Sequence, residues 1–469
     1  SWLRLPHVAS SLRCLKVRRW SHSPASCWDP RMELAAPIWR SFSDALSAGL
    51  PKLEVLVADF DECMAEVTRE ATWRLPALTA LSRREHGAAD LLPRIEAPRL
   101  QLLKMRTTPL ELPRLLDLFP ALEALGDASA SERVLRGPFP TKPCAVLNPF
   151  RMERQFDLEP VVQALAAKGA QWASTLRRCI LISDPPASQA VAAAMANWKA
   201  LTQLWLPLDK KHHSSLLRFL LEQLPRLREL RVNFEKSRSY SHHGWQCTPQ
   251  SELPTAESVI CPDLEVLDLT LVRLPSFAGL SMPALREFSA RYPLGGSVAL
   301  DVSALLAAAP RLGSLGLAYV PLRDDDPLPQ LHAPHLEVLS LESVECGEAT
   351  FLALLRCCPQ LVELYACGSP RRAPNFTTAS LLELLPSLPC AQTLSVLAAS
   401  HYRDKAEDKR GEATQAAILQ MPRLNDVRLL CDSGQTLSKE SYQTLRQFVK
   451  TDPRVAHRKI RLVVERYWD

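Results

Sequence analysis

The 469-residue sequence predicts an α/β solenoid, an array in which each unit supplies one short strand and one helix. Three observations carry that expectation. An L-x-x-L-x-φ pattern, φ being apolar, recurs at intervals in the twenties. Successive first leucines lie 21, 27, 24 and 25 residues apart from Leu264 to Leu361, and 25, 22 and 22 apart from Leu53 to Leu122. Ahead of the pattern, apolar residues fall at i, i+3, i+4 and i+7, one stripe of an amphipathic helix. Between stripe and pattern sits a proline, which disfavours α geometry in the residue before it and stops each helix at a set point. The composition agrees, with 38 prolines against 15 glycines.

Taken in order, the chain begins "SWLRLPHVASSLRCLKVRRW", without an initiator Met or an apolar leader, so it is expected to open inside a structured segment of a longer, N-terminally truncated protein. Residues 21–44 stretch one interval to 41 residues and should hold a loop and a helix. Clear copies follow at Leu53/Leu56, Leu78/Leu81, Leu100/Leu103 and Leu122/Leu125. Residues 128–175 span about two periods, with a degenerate repeat around "CAVLNPF". The pattern returns at Leu201/Leu204 and Leu227/Leu230, breaks at the polar insertion 234–261, and runs on through Leu264/Leu267, Leu285/Phe288, Leu312/Leu315, Leu336/Leu339 and Leu361/Leu364. After Leu385 the next strand begins at Leu388 or Ala391, and the register stays open from 386 to Leu424/Val427. The charged run 403–412 reads as an exposed loop or a helix start, and 437–469 as a cap made of one helix and a closing strand.

The helical stripes are Leu112/Leu115/Leu116/Phe119, Leu217/Leu220/Leu221/Leu224, Val302/Leu305/Leu306/Ala309 and Phe351/Leu354/Leu355/Cys358, with Thr378/Leu381/Leu382/Leu385 in the same register. Asp301, Ser214 and Ser380 are candidate helix starts. Strands stack about 4.8 Å apart and helices need about 10 Å, so the array must curve. Residues 1–469 are therefore expected to form one horseshoe of about 15–16 degenerate repeats, with a parallel sheet on the concave face and helices on the convex face. Its inner arc would be about 75 Å.

The stretch "LLRCCPQLVELYACG" (354–368) tests for chemistry. Cys358 holds the position that Leu224 and Phe119 hold elsewhere, and Cys346 falls near the point where Leu274 and Leu322 follow Val272 and Val320. Both read as small buried apolar groups, since a metal site would show paired C-x-x-C ligands. His242, His243 and Cys247 sit in a polar loop without a fourth ligand, so no metal or cofactor is expected. His212 and His213 read as solvated. There is no phosphate loop, G-x-G-x-x-G, H-E-x-x-H, G-x-S-x-G or kinase set, and an enzyme is not expected. The net charge of +5 does not indicate general affinity for nucleic acid, and no apolar run approaches a membrane span. Thirteen scattered cysteines point to buried thiols in a reducing, intracellular compartment, cytoplasmic or nuclear.

The helix-then-P-x-L-x-x-L-x-L unit, with "LLRCCPQLVEL" as its best copy, resembles the ribonuclease-inhibitor-like leucine-rich repeats, and is most similar to the cysteine-containing subtype of F-box proteins. The resemblance covers nearly the whole chain. It departs from the family at the ninth repeat position, where Val272, Val320 and Val344 stand in place of Asn or Cys and imply apolar packing under the strands. What the resemblance implies is a substrate-recognition arm of an F-box-type ubiquitin ligase, with adaptor and cullin partners reached through a region N-terminal to the repeats.

The functional surface is expected on the concave sheet, where the residues flanking the last Leu of each pattern point away from the core. The candidate partner-binding residues are Lys16, Arg18, Arg84, Lys104 and Arg106 in a basic N-terminal third, then Trp205, Arg231, Asn233, Asp268, Arg291 and Tyr365. Trp205 beside Arg231 is the leading hot spot, because Trp and Arg dominate protein interfaces. The primary expectation is a non-catalytic scaffold that captures a protein in this face. The alternatives are a regulatory or inhibitory scaffold of an enzyme without a ubiquitin link, and RNA binding through the basic N-terminal strands.

Overall fold

In the computed structural model the chain forms two compact units, Ser1–His212 and His213–Asp469. The described residues are 10–17, 40–59, 71–84, 95–104, 118–119, 121, 124–126, 144–147, 176–181 and 197–206 in the first unit. In the second they are 213–232, 258–270, 277–291, 299–323, 332–367, 378–400, 407–431 and 439–466.

The first unit contains β1 (Cys14–Val17), β2 (Val55–Asp59), β3 (Trp73–Arg74), β4 (Ala80–Arg84), β5 (Ile95–Glu96), β6 (Leu102–Lys104), β7 (Ala124–Gly126), β8 (Cys144–Leu147), β9 (Arg178–Leu181) and β10 (Gln203–Leu206). All but β3 and β5 stack in parallel and in chain order. The register aligns Leu15, Leu56, Leu81, Leu103, Leu125, Ala145, Cys179 and Leu204 in one column. A slip of one residue would turn that column to solvent, so the repeated apolar offset holds the register. β8 falls in the degenerate segment around "CAVLNPF". β9 belongs to a repeat the leucine pattern does not reveal, because Leu176 and Cys179, both buried, replace the leucine pair. The described helical residues 40–47 overlap the end of the interruption at 21–44 and bury Phe42, Ala45 and Leu46. Gly49 follows in the left-handed region (φ 93°), the conformation in which glycine ends helices. Trp73 packs edge-on against Phe42 and donates its indole N–H to Ser43 Oγ at 3.0 Å.

The second unit contains, in order, α1 (His213–Gln223), β11 (Glu229–Val232), β12 (Val259–Ile260), β13 (Val266–Thr270), β14 (Leu280–Ser281), β15 (Glu287–Arg291), α2 (Val302–Ala308) and β16 (Ser314–Ala318). It continues with β17 (Val338–Glu342), α3 (Glu348–Arg356), β18 (Glu363–Cys367), α4 (Thr378–Leu384), β19 (Val396–Ser400), α5 (Glu407–Gln420), β20 (Asp426–Cys431), α6 (Lys439–Thr451) and β21 (Arg461–Arg466). Excluding β12 and β14, its strands form one parallel run. Leu230, Leu267, Phe288, Leu315, Leu339, Leu364, Leu397 and Val427 share a column and are buried. This is a leucine-rich-repeat solenoid: parallel strands, one per repeat, with helices in the connections.

The recurring proline has a local explanation. The N–H of the first leucine donates to the carbonyl three residues earlier: Leu227 to Leu224 at 3.0 Å, Leu312 to Ala309 at 3.1 Å, Leu361 to Cys358 at 3.3 Å. Pro225, Pro310 and Pro359 thus occupy the second position of a β-turn, where a fixed φ is favourable. Cys358 is fully buried in this turn, and its thiol donates to Leu354 O at 2.9 Å. Cys346 is buried like Leu322, its counterpart in the preceding repeat. Val320 and Val344 are buried as well, each following a residue in the left-handed region, Tyr319 (φ 60°) and Ser343 (φ 52°). Val272 lies outside the described residues.

Several expectations need correction. After Leu385 the next repeat opens at Leu394, neither at Leu388 nor at Ala391, because two 3-10 turns (Leu385–Ser387 and Pro389–Gln392) absorb the extra residues. Asp301 does cap α2, accepting from Ala304 N at 2.9 Å. Ser214 and Ser380, however, lie inside helices that begin at His213 and Thr378. Of the charged run 403–412, residues 407–412 form the start of α5, one of the two readings expected. Helices are also not the universal outer element. Two-residue parallel ladders stand there instead, β3 with β5 and β12 with β14. The two ladders include the β-branched residues Ile95, in the first, and Val259 and Ile260, in the second, which favour extended backbone.

Candidate protein-interaction surface

Alternation along each strand sends every second residue away from the core. On β13 this leaves Val266 and Asp268 half-buried while Leu267 and Leu269 are buried, and β17 shows the same alternation from Val338 to Glu342. The register then builds rows. One row of the second unit reads Arg231, Asp268, Ser289, Gly316, Ser340, Tyr365, Ala398, Arg428 and Val463.

Two polar clusters flank a low centre in that row. At the first, Arg231 pairs with Glu229 at 2.6 Å on its own strand and with Asp268 at 3.8 Å on the next. Burial raises the Asp268 carboxyl above its ordinary range, against the opposing pull of Arg291 and Arg231. At the second, the Arg428 guanidinium lies 5.8 Å from the centre of the Tyr365 ring and pairs with Asp426 at 3.1 Å. Tyr365 is on β18 and Arg428 on β20, so the contact crosses β19 at the level of Ala398, a residue small enough to be spanned. Burial, then Glu363 beside it, raises the Tyr365 phenol. Between the clusters stand Ser289, Gly316 and Ser340.

The sequence-derived candidates divide accordingly. Arg231, Asp268, Arg291 and Tyr365 fall on the sheet face of the second unit, Arg291 exposed and the others half-buried. Trp205 is half-buried on β10 of the first unit, level with Ile180, so it and Arg231 belong to separate units. Lys16 and Lys104 share a register row through Val57 and Ser82, and Arg84 is level with Asp59. Arg18, Arg106 and Asn233, like His242, His243 and Cys247, lie outside the described residues. Sequence reasoning missed the acids that hold the arginines, Glu229 and Asp426. Their signal is the i−2 carboxylate on the same strand, in "ELR" and "DVR".

At the start of β17 to β20 a cavity of about 540 Å³ opens, lined by Glu337, Thr393, Ser395, Arg423 and Asn425 among others. Its hydroxyls tie repeat to repeat: Thr393 Oγ1 donates to Leu361 O at 2.7 Å and Ser395 Oγ to Val362 O at 3.2 Å. Among the described residues no cluster of three or more His, Cys, Asp or Glu could hold a metal ion. Among them, too, no helix is long and apolar enough to cross a membrane.

No family model matches the chain, and no curated protein matches it. Among solved structures, the one titled "Crystal structure of TLR13-ssRNA13 complex" aligns over 90% of this chain at 16% identity, with a TM-score of 0.41. The chain spans about half of that structure's chain, 54%. The leucine-rich-repeat fold assigned here rests on this chain's own strand register and repeated turns.

Proposed function

We propose that this protein is a non-catalytic interaction scaffold that binds a partner protein on the exposed face of its parallel sheet. The observation that carries this reading is the Tyr365–Asp426–Arg428 arrangement. Arg428 is fixed by a carboxylate and an aromatic ring before any partner arrives. A held Arg–Tyr pair loses little side-chain freedom on binding, which is what interface hot spots require. Replacing Tyr365 and Arg428 with Ala should weaken partner capture at least about tenfold while thermal stability stays nearly unchanged. Affinity purification of the full-length protein with quantitative mass spectrometry, wild type against variant, reads the first effect and a melting curve the second. Intact capture with a large loss of stability would overturn the reading.

The finer assignment, a substrate arm of an F-box-type ubiquitin ligase, draws on the cysteine-bearing repeat at 354–368. Co-purification of an adaptor and a cullin with the full-length protein is its expected outcome. Recovery of one enzyme without them favours a regulatory scaffold instead.

A further inference from the structure

Charge on the sheet face of the second unit runs against the rest of the chain. At the outward register positions of the described strands, seven carboxylates (Glu229, Asp268, Glu287, Glu342, Glu363, Asp426, Glu465) stand against four guanidiniums (Arg231, Arg291, Arg428, Arg461). The chain as a whole carries +5. Three of the guanidiniums are held in ion pairs, Arg231 with Glu229 and Asp268, and Arg428 and Arg461 with Asp426, while Arg291 is exposed and acts on Asp268 only through its field. Glu287, exposed, and Glu342, half-buried, form no ion pair among the described residues.

These two acids bracket the low centre of the face. Glu287 starts β15 and Glu342 ends β17, with Ser314, Gly316 and Ala318 on the strand between. Two strand spacings by four residues of rise put their backbones about 16 Å apart on a diagonal. In the row through Gly316 the walls, Asp268 and Tyr365, are four strands apart, about 19 Å. A helix with side chains is about 10–12 Å across and fits between them. Along a helix about 16 Å is eleven residues, three turns, which returns to the same face. A Cβ built at Gly316 meets nothing closer than Ser289 Oγ at 3.7 Å, so the floor is open to an approaching backbone.

We propose that this face seats a cationic helix of a partner protein across the Ser289–Gly316–Ser340 floor, with Glu287 and Glu342 anchoring Lys or Arg side chains eleven residues apart. The proposal rests on the interaction-scaffold reading and specifies the partner's chemistry. The acidic balance also opposes a phosphate backbone here.

The probes are three synthetic alanine-rich helical peptides. One carries Lys at i and i+11, one carries Lys at i and i+5, and one has the first peptide's spacing with Glu in place of Lys. Each is titrated onto the full chain by fluorescence anisotropy at low and high salt. The i, i+11 Lys peptide should bind tightest and weaken at high salt, as screened charges require. It should lose about tenfold or more on E287K/E342K, two surface changes that spare the core, and also on Gly316→Leu, which fills the floor without touching charge. Equal binding of the Glu peptide or of an RNA oligonucleotide overturns the proposal, as does a Lys peptide indifferent to E287K/E342K. A cellular partner lost on Tyr365→Ala with Arg428→Ala but retained by E287K/E342K would overturn the cationic helix and leave the scaffold standing. A partner indifferent to all of these variants would overturn both.

Discussion

At the residue scale, Asp301 shows how a short motif becomes measurable stability. Its carboxylate accepts from Ser303 Oγ at 2.6 Å and from Ala304 N at 2.9 Å, and those bonds, the hydroxyl first, hold it below its ordinary 3.8. Asp301→Ala should cost about 1 kcal/mol in chemical denaturation. Because the folded-state value is depressed, this contribution is complete above 3.8 and disappears as pH falls through the lower folded value, so wild type and variant should converge in acid. Asp301 was legible because a cap needs only its own first turn. Cys358 was legible because position in the repeat dictates burial. Arg458 was not: its guanidinium donates to Ile418, Met421 and Leu424 carbonyls at 2.5–2.6 Å, partners 34 to 40 residues earlier. Nor does any short pattern announce that Arg428 reaches a ring two strands away.

At the element scale, the shared column of leucines makes each strand depend on its neighbours. Leu339 is fully buried between Leu315 and Leu364, and Leu339→Ala should cost about 2–5 kcal/mol by denaturant titration. The end of the array is secured differently. Of the three carbonyls met by Arg458, that of Ile418 belongs to the last turn of α5, where a helix leaves carbonyls without internal partners, and those of Met421 and Leu424 to the turn that follows it. Arg458→Met keeps the aliphatic stem and removes the donors. It should cost about 1.5–3 kcal/mol and speed hydrogen exchange in 407–431 before it does so in 299–367. Elements with a full leucine pair were readable in advance. The repeat at β9 was hidden by Cys179 in a leucine's place, and the one at β19 by two 3-10 turns whose length no periodicity encodes. The outer ladders escaped notice because a pattern keyed to helices cannot see two-residue strands.

At the scale of the whole molecule, two compact units each carry their own register-aligned apolar column, so unfolding need not be a single event. The thiols provide built-in reporters. Cys179 is buried in the first unit; Cys358 and Cys390 are buried in the second, where burial pushes the Cys390 thiol up to about 11. Such thiols are inert until exposed. Pulsed alkylation across a urea gradient, read by mass spectrometry, should label Cys14 in the native state and the buried thiols only on unfolding, with Cys179 at a different midpoint from Cys358 and Cys390. A single common midpoint would show that the units unfold together.

The outer ladders also bear on how the coil bends. Where β12 pairs with β14, inner and outer edges advance by the same strand spacing, so nothing forces the backbone path to turn. From α2 to α3 the outer edge must accommodate helix widths about twice that spacing. The sheet of the second unit should therefore run nearly straight from β13 to β15 and tighten from β16 to β18, like a ruler that ends in a hook. A guest lying on its inner side would meet a flat approach first and a grip afterwards.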